Sequence, residues 1–157
     1  RLTPRFSANR MLADYVTSMY RPAAATLRAR AANGYREACA MAEWERTLRL
    51  HWPVVEVGAL EAEPTEDGVC ASVIVALGPI DASSVLVELY ADAVAGSPAE
   101  RQPMERRESV PALANGARYS AKLRTDRPLW HFTPRVIPRK DGVSVPGELA
   151  LIAWGRR

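Results

Sequence analysis

The two histidines, His51 and His131, are the residues best suited by type to acid–base chemistry, because imidazole titrates near neutral pH. They fall in different predicted elements. His51 ends a predicted helix, where the helix dipole favours a cation, and His131 opens a predicted strand with no carboxylate or nucleophile beside it in the sequence. We therefore expect structural roles for both, and two histidines alone do not predict a metal site.

Acidic residues cluster between positions 61 and 67, and a carboxylate pair there is the next candidate for acid–base catalysis. Such catalysis needs one carboxyl group whose pKa is shifted by burial or by a close partner. The stretch has Pro64 near its centre and is typical of an exposed loop. The sequence therefore predicts a solvated acidic loop here and no catalytic carboxylate.

The serines and glycines offer no better catalytic site. Ser83, Ser84 and Ser97 lack the strand–turn–helix surroundings that expose an activated nucleophile. The nine glycines are dispersed, and no two form a Gly-x-Gly pair that would cradle a phosphate. A complete small hydrolase is disfavoured, because no set of nucleophile, acid and base can be assembled. We predict no catalytic residue in this chain.

One tryptophan stands apart from the other three. Trp44 and Trp52 fall on a helical stripe and Trp154 ends the last predicted strand, so we expect all three in the core. Trp130 and His131 lie in a predicted loop and strand start, where the indole could present a flat surface to a sugar ring or a protein partner. Packing is the favoured alternative for Trp130, because a large aromatic ring is costly to expose.

Helices are predicted to come first along the chain. Ser7 suits a helix N-cap, Pro22 predicts a kink, and Asn33-Gly34 predicts a helix end. A second helix is predicted over 35–51, and two helices joined by a short turn favour an antiparallel hairpin. One apolar face is made of Met11, Leu12, Tyr15, Val16, Met19 and Tyr20, and the other of Ala38, Met41, Trp44 or Glu45, Leu48 and Trp52.

After Pro53 the apolar residues change to the alternating period of strands. The fold class that this predicts is α+β, with an N-terminal helical hairpin in residues 1–52 followed by an immunoglobulin-like antiparallel β-sandwich in residues 53–157. Turn residues separate the predicted strands, which cover 54–60, 69–77, 85–91, 106–110, 117–123, 131–138 and 148–154.

Composition excludes several classes of protein. The net charge of +3 is scattered, without the basic stripe of a nucleic-acid site. No apolar run is long enough to span a membrane, and no basic stretch followed by an apolar core predicts a signal peptide. Cys39 and Cys70 have no zinc-site spacing, so reduced thiols are the default, although their pairing stays open. We predict a cytoplasmic protein that binds neither nucleic acid nor membrane.

Four stretches resemble the carboxyl-terminal region of bacterial α-glucan phosphorylases, the glycogen and maltodextrin phosphorylase relatives. The first is similar to the end of their catalytic region, the second to the segment that follows it, and the last two to their terminal β-domain. These stretches are RFSANRMLADYVTSMYRPA (5–23), MAEWERTLRLHWPVVEV (41–57), GPIDASSVLVELY (78–90) and PRVIPRKDGVSVPGELALIAWG (134–155).

The resemblance implies a non-catalytic portion of an enzyme that converts α-1,4-glucan and phosphate to glucose 1-phosphate. Its partner would be a preceding catalytic region of the same polypeptide, with α-glucan as a further ligand. Pyridoxal phosphate would be bound there by a lysine in a Gly-rich neighbourhood, which neither Lys122 nor Lys140 has, so no cofactor is expected in this chain. The alternative is a free-standing carbohydrate-binding or protein-interaction module.

Overall fold

The computed structural model describes residues 7–66 and 68–156. The chain divides between Glu45 and Arg46 into two compact units, and each is considered by itself below. The predicted division after Trp52 concerns domains and stays a prediction. Asp67, one of the residues in the predicted acidic loop, lies outside the described residues.

The first unit is helical. It contains α1 (Ala8–Tyr15), a π-helical turn (Val16–Tyr20) and most of α2 (Arg21–His51). The predicted N-cap is confirmed, because the Ser7 hydroxyl oxygen accepts a hydrogen bond from the Arg10 amide at 3.3 Å. Pro22 has no N–H to continue the helical ladder, and the wider π-helical turn just before it is the irregularity that accommodates this loss.

α2 is interrupted where the sequence predicts a stop. Residues 32–35 have non-helical backbone angles, and Asn33, Gly34 and Tyr35 all have positive φ. Such left-handed residues end a helix, so α2 consists of two helical stretches. The predicted stripe of the second stretch is confirmed by burial, which increases along it to Leu48, a fully buried side chain of the second unit.

The second unit is built from β-strands and short 3₁₀ turns. Those turns span Trp52–Val54, Ala82–Ser84 and Leu129–His131. The strands are β1 (Glu56–Val57), β2 (Glu61–Thr65), β3 (Gly68–Ala76), β4 (Val85–Ala91), β5 (Glu100–Pro103), β6 (Glu105–Ser109), β7 (Gly116–Leu123), β8 (Thr133–Pro138) and β9 (Ala153–Trp154).

The strands form two antiparallel sheets. One has the order β1-β3-β7-β6, with β2 also paired to β3, and the other has the order β5-β4-β8-β9. Apart from the added β2, the first order corresponds to strands A-B-E-D of the immunoglobulin fold, and the second to C-F-G with one further edge strand. The predicted α+β class, with a helical segment followed by an antiparallel β-sandwich, is confirmed.

The core lies between the inner faces of the two sheets. The predicted alternation is confirmed, because every second residue of β3 and β7 is buried. The turn residue Phe132 and Leu149, which follows β8, add fully buried side chains. The inner residues include Ala71, Val73, Val75, Val87, Leu89, Ala117, Tyr119, Ala121, Leu123 and Val136.

Three sequence expectations for this unit are wrong in detail. The predicted acidic loop contains β2, an exposed edge strand in which Pro64 is tolerated because an edge residue need not donate to a neighbour. β5 has no apolar alternation in its sequence and went unrecognised. Trp154, expected in the core, is 50% exposed, because its strand β9 is only two residues long and lies at a sheet edge.

The end of the chain connects the two sheets. β9 pairs with β8 of the second sheet, and the next residues hydrogen-bond to the segment that follows β1 of the first sheet. There Arg156 donates its amide to the Gly58 carbonyl at 3.3 Å and accepts from the Leu60 amide at 3.1 Å. Gly155 lies between these sheets, and a Cβ placed on it would come within 2.7 Å of the Gly58 oxygen and 2.8 Å of a Pro134 ring carbon.

Gly155→Ala should therefore destabilise the fold by about 1–3 kcal/mol, because backbone of one sheet must move to admit the methyl group. The matched control is Gly147→Ala, where the nearest atom to the new Cβ would be 3.6 Å away, an ordinary contact distance. Thermal unfolding of the two variants measures the difference. Equal melting temperatures would contradict the close approach described here.

Candidate functional site

The loop between β7 and β8, residues 124–132, is held in place by a network of polar contacts. The Arg127 guanidinium donates to the backbone oxygens of Asp92 and Pro98, the latter at 3.1 Å, and lies 3.5 Å from a carboxylate oxygen of Glu100. The other Glu100 carboxylate oxygen accepts from the Thr125 hydroxyl at 3.0 Å. The Arg127 side chain is only 9% exposed and the Glu100 side chain 36%, and their contacts fix the loop to its neighbour.

The last part of this loop is a 3₁₀ turn that turns one aromatic ring outward. The Phe132 amide donates to the Leu129 carbonyl at 2.9 Å, and the Phe132 ring is completely buried. Trp130, two residues earlier, is 71% exposed. The His131 ring stands edge-on to the indole, with ring centroids 6.1 Å apart. The favoured packing of Trp130 is thus wrong, and its predicted role as a glycan or partner surface stays a prediction.

A cleft of about 510 Å³ lies beside this turn. Its apolar lining includes Leu123, Leu129 and Phe132, and its polar lining includes Arg124, Thr125, Asp126 and Arg127. Asp126 is the only carboxylate among its described lining residues, whereas glycoside hydrolysis uses two. The cleft can therefore bind polar molecules, but it does not present the paired acid and base of a hydrolase.

A buried ion pair lies on the second sheet, at a position that sequence analysis missed. Glu88 and Arg135 are cross-strand neighbours on β4 and β8, only 3% and 6% exposed, and the Arg135 Nε donates to a Glu88 oxygen at 2.8 Å. The guanidinium lies 3.9 Å from the centre of the Tyr90 ring, and the Trp154 ring is 5.2 Å away. The sequence did contain a sign of this pair, because each of the two strands has a single charged residue among apolar or uncharged ones.

In the first unit, the predicted apolar face is exposed. Its six large side chains, from Met11 to Tyr20, have between 40% and 63% of their surface accessible. Isolated exposed apolar residues are ordinary on a protein, but six on successive turns form a continuous patch. This helical face and the Trp130 turn both expose aromatic or apolar side chains to solvent.

Comparison with known proteins identifies the family. A family model described as the glycogen phosphorylase C-terminal domain matches residues 52–156. The chain belongs to this family. The maltodextrin phosphorylase of Thermococcus litoralis is 28% identical to it over 159 aligned positions, which cover 98% of this chain and 19% of that protein. No solved structure matches the chain. The chain thus spans about a fifth of the length of this curated relative.

The glycogen phosphorylase C-terminal domain match begins at Trp52, so it covers the sandwich, the Trp130 turn and the buried ion pair. The helical residues 8–51 precede that match but are included in the alignment with the Thermococcus protein. The resemblance inferred from the sequence is confirmed by both comparisons.

The remaining residues considered from the sequence are dispersed. His51 ends α2, as predicted, and Cys39 and Cys70 are both free thiols. No group of three potential metal ligands occurs among residues 7–66 and 68–156. In the same part of the chain, no helix is sufficiently long and apolar to cross a membrane.

Asp81, Arg118 and Tyr119 have perturbed pKa values, and none of these three residues lines the cleft. Hydrogen bonds from the backbone and hydroxyl of Ser83 lower the pKa of Asp81. The hydrogen bond to Glu61 is the main cause that raises the pKa of Arg118, and burial raises that of Tyr119. Each shift has a structural cause, so none indicates an activated acid or base.

Arg135→Met should lower the free energy of unfolding by about 3–5 kcal/mol, because it leaves the Glu88 carboxylate buried without a cation. Arg107→Met is the matched control, since Arg107 pairs with Glu105 at 2.7 Å with both side chains more than half exposed. That control should cost less than about 1 kcal/mol. Chemical denaturation measures both, and similar losses for the two variants would refute a special role for the buried pair.

Proposed function

We propose that this chain is the non-catalytic C-terminal portion of an α-1,4-glucan phosphorylase, an enzyme that converts glucan and inorganic phosphate to glucose 1-phosphate. The observation that carries the proposal is the alignment of nearly the whole chain with a fifth of a maltodextrin phosphorylase, together with the C-terminal domain family match. In this proposal the catalytic centre belongs to another part of the same polypeptide, and the protein is cytoplasmic.

The lysines support this division of roles. Pyridoxal phosphate requires a lysine for its aldehyde and closely spaced backbone amides for its phosphate. Lys122 is exposed on β7 opposite Cys70, and Lys140 follows β8 in a turn segment. Neither position fits the cofactor, so we propose that it is bound elsewhere in the full-length polypeptide.

The exposed helical face indicates a role for the first unit. We propose that its six apolar side chains pack against the catalytic region of the same polypeptide. Burial of that much apolar surface would contribute several kcal/mol, at about 25 cal/mol per Å² of area removed from water. A free-standing carbohydrate-binding or interaction module is the alternative, and it leaves this exposed face unexplained.

The isolated 157-residue chain should release no glucose 1-phosphate from maltodextrin and phosphate, whereas the full-length polypeptide that carries it should do so. The expectation follows from the lack of an acid–base pair in the cleft and from the poor fit of both lysines to the cofactor. A coupled assay for glucose 1-phosphate measures both proteins. Activity in the isolated chain would overturn its non-catalytic role, and an inactive full-length protein would favour the free-standing module.

Leu12→Glu in the full-length polypeptide should lower its melting temperature by several degrees, because it places a charge in the proposed interface. Thr17→Glu introduces the same charge at an exposed position one turn later, on the side of the helix away from the six apolar residues, and should have little effect. Differential scanning calorimetry of the two variants makes the comparison. Equal melting temperatures would show that the apolar face is not covered by the rest of the protein.

A further inference from the structure

We propose that Trp130 and the adjoining cleft form a secondary binding site for α-glucan, separate from the centre that carries out phosphorolysis. The proposal rests on the proposed function, because it assumes that the full-length protein acts on a glucan. The ligand would be a run of α-1,4-linked glucosyl units, with one sugar ring on the indole and its neighbour toward the cleft.

The turn geometry determines what Trp130 offers to a ligand. Phe132 is buried in the core and Leu129 lines the cleft, so the residue between Leu129 and His131 projects away from the sandwich. His131 meets the indole edge-on and does not stack over its face. An exposed aromatic face of this kind can pack against the C–H face of a pyranose ring, while the indole N–H remains available to a hydroxyl group.

The surroundings favour a carbohydrate over a protein surface. The cleft beside the turn has a guanidinium and a carboxylate, from Arg124 and Asp126. The Thr125 hydroxyl is used within the loop, where it donates to Glu100 and accepts from the Arg127 amide. A sugar presents pairs of hydroxyl groups, which can donate hydrogen bonds to a carboxylate and accept them from a guanidinium group. The volume of the cleft, about 510 Å³, also falls in the size range of small-ligand sites. A protein interface would be expected to add further large apolar residues around the central aromatic ring.

The loop is already held in the shape that binding would need. Arg127 connects it to the backbone of residues 92 and 98, and Thr125 connects it to Glu100. A site that is fixed before the ligand arrives loses less conformational entropy on binding. A tryptophan on a mobile loop would instead have to be ordered when the sugar binds, which would weaken the contact.

The site should contribute to the binding of long glucans only. A short maltodextrin can occupy the catalytic centre but cannot also reach a second site, whereas glycogen offers many chains at once. Two linked contacts raise the overall affinity by increasing the effective concentration of the second one. Loss of Trp130 should therefore weaken binding of glycogen and leave the kinetics with a short substrate unchanged.

The test uses the full-length polypeptide and the variants Trp130→Ala, Trp130→Phe and Val94→Ala. Val94 is an exposed apolar residue of the same unit and serves as the matched control. Co-sedimentation with glycogen should show about tenfold weaker binding for Trp130→Ala, which corresponds to the loss of one aromatic contact. Trp130→Phe keeps an aromatic face, so its affinity for glycogen should stay within about threefold of the parent's. The affinity of Val94→Ala should equal that of the parent. Asp126→Ala should also weaken the binding of glycogen.

Phosphorolysis of maltopentaose is the second measurement, and its kcat and KM should be the same in all variants and the parent. If the parent releases glucose 1-phosphate from maltopentaose and Trp130→Ala binds glycogen as tightly as the parent, the secondary site is refuted and the proposed function stands. If the parent has no phosphorolytic activity, the proposed function fails. If Trp130→Ala and Val94→Ala weaken glycogen binding equally, the effect is not specific to the indole and the proposal is overturned.

Discussion

The buried pair of Glu88 and Arg135 is the interaction on which the register of the second sheet depends. The two residues face each other across β4 and β8, the central strands of that sheet. A slip of either strand by one residue would turn its charge to the inner face of the sandwich and leave the other charge without its partner, at a cost of several kcal/mol. The same slip would move the buried apolar residues of β4 to the outer face, so the ion pair and the apolar residues favour the same register.

The features at the beginning of β8 follow from that register. At its beginning, the strand starts at Thr133, directly after the buried Phe132, and this order directs Trp130 outward. Near the same end, the Pro134 carbonyl accepts the Gly155 amide at 2.8 Å, and Arg156 then reaches the first sheet. The loop with the candidate site and the connection between the sheets thus share one strand as their support.

The sequence predicted those parts of the fold that have a strong local pattern. β3, β4 and β7 carry buried apolar residues at alternating positions, and their bounds were predicted to within one residue. β2 and β5 are edge strands that rely on pairing with an apolar neighbour, so their own residues carry no alternation. The exposure of Trp154 likewise depends on the tertiary position of its short strand, and the cleft depends on the contacts of Arg127 with a distant loop, which no local pattern reveals.

The two exposed surfaces differ in physical character, and this difference argues for different occupants. The helical face presents six apolar side chains with few polar groups among them. A continuous apolar surface of this kind is typical of an interface with another part of a protein. The Trp130 turn presents one aromatic ring beside a cleft with charged and hydroxyl side chains, which leaves water access to both. A ligand that is itself half apolar and half hydroxylated suits the second surface and not the first. The proposed packing within the polypeptide and the proposed contact with a glucan therefore use separate units of the same chain.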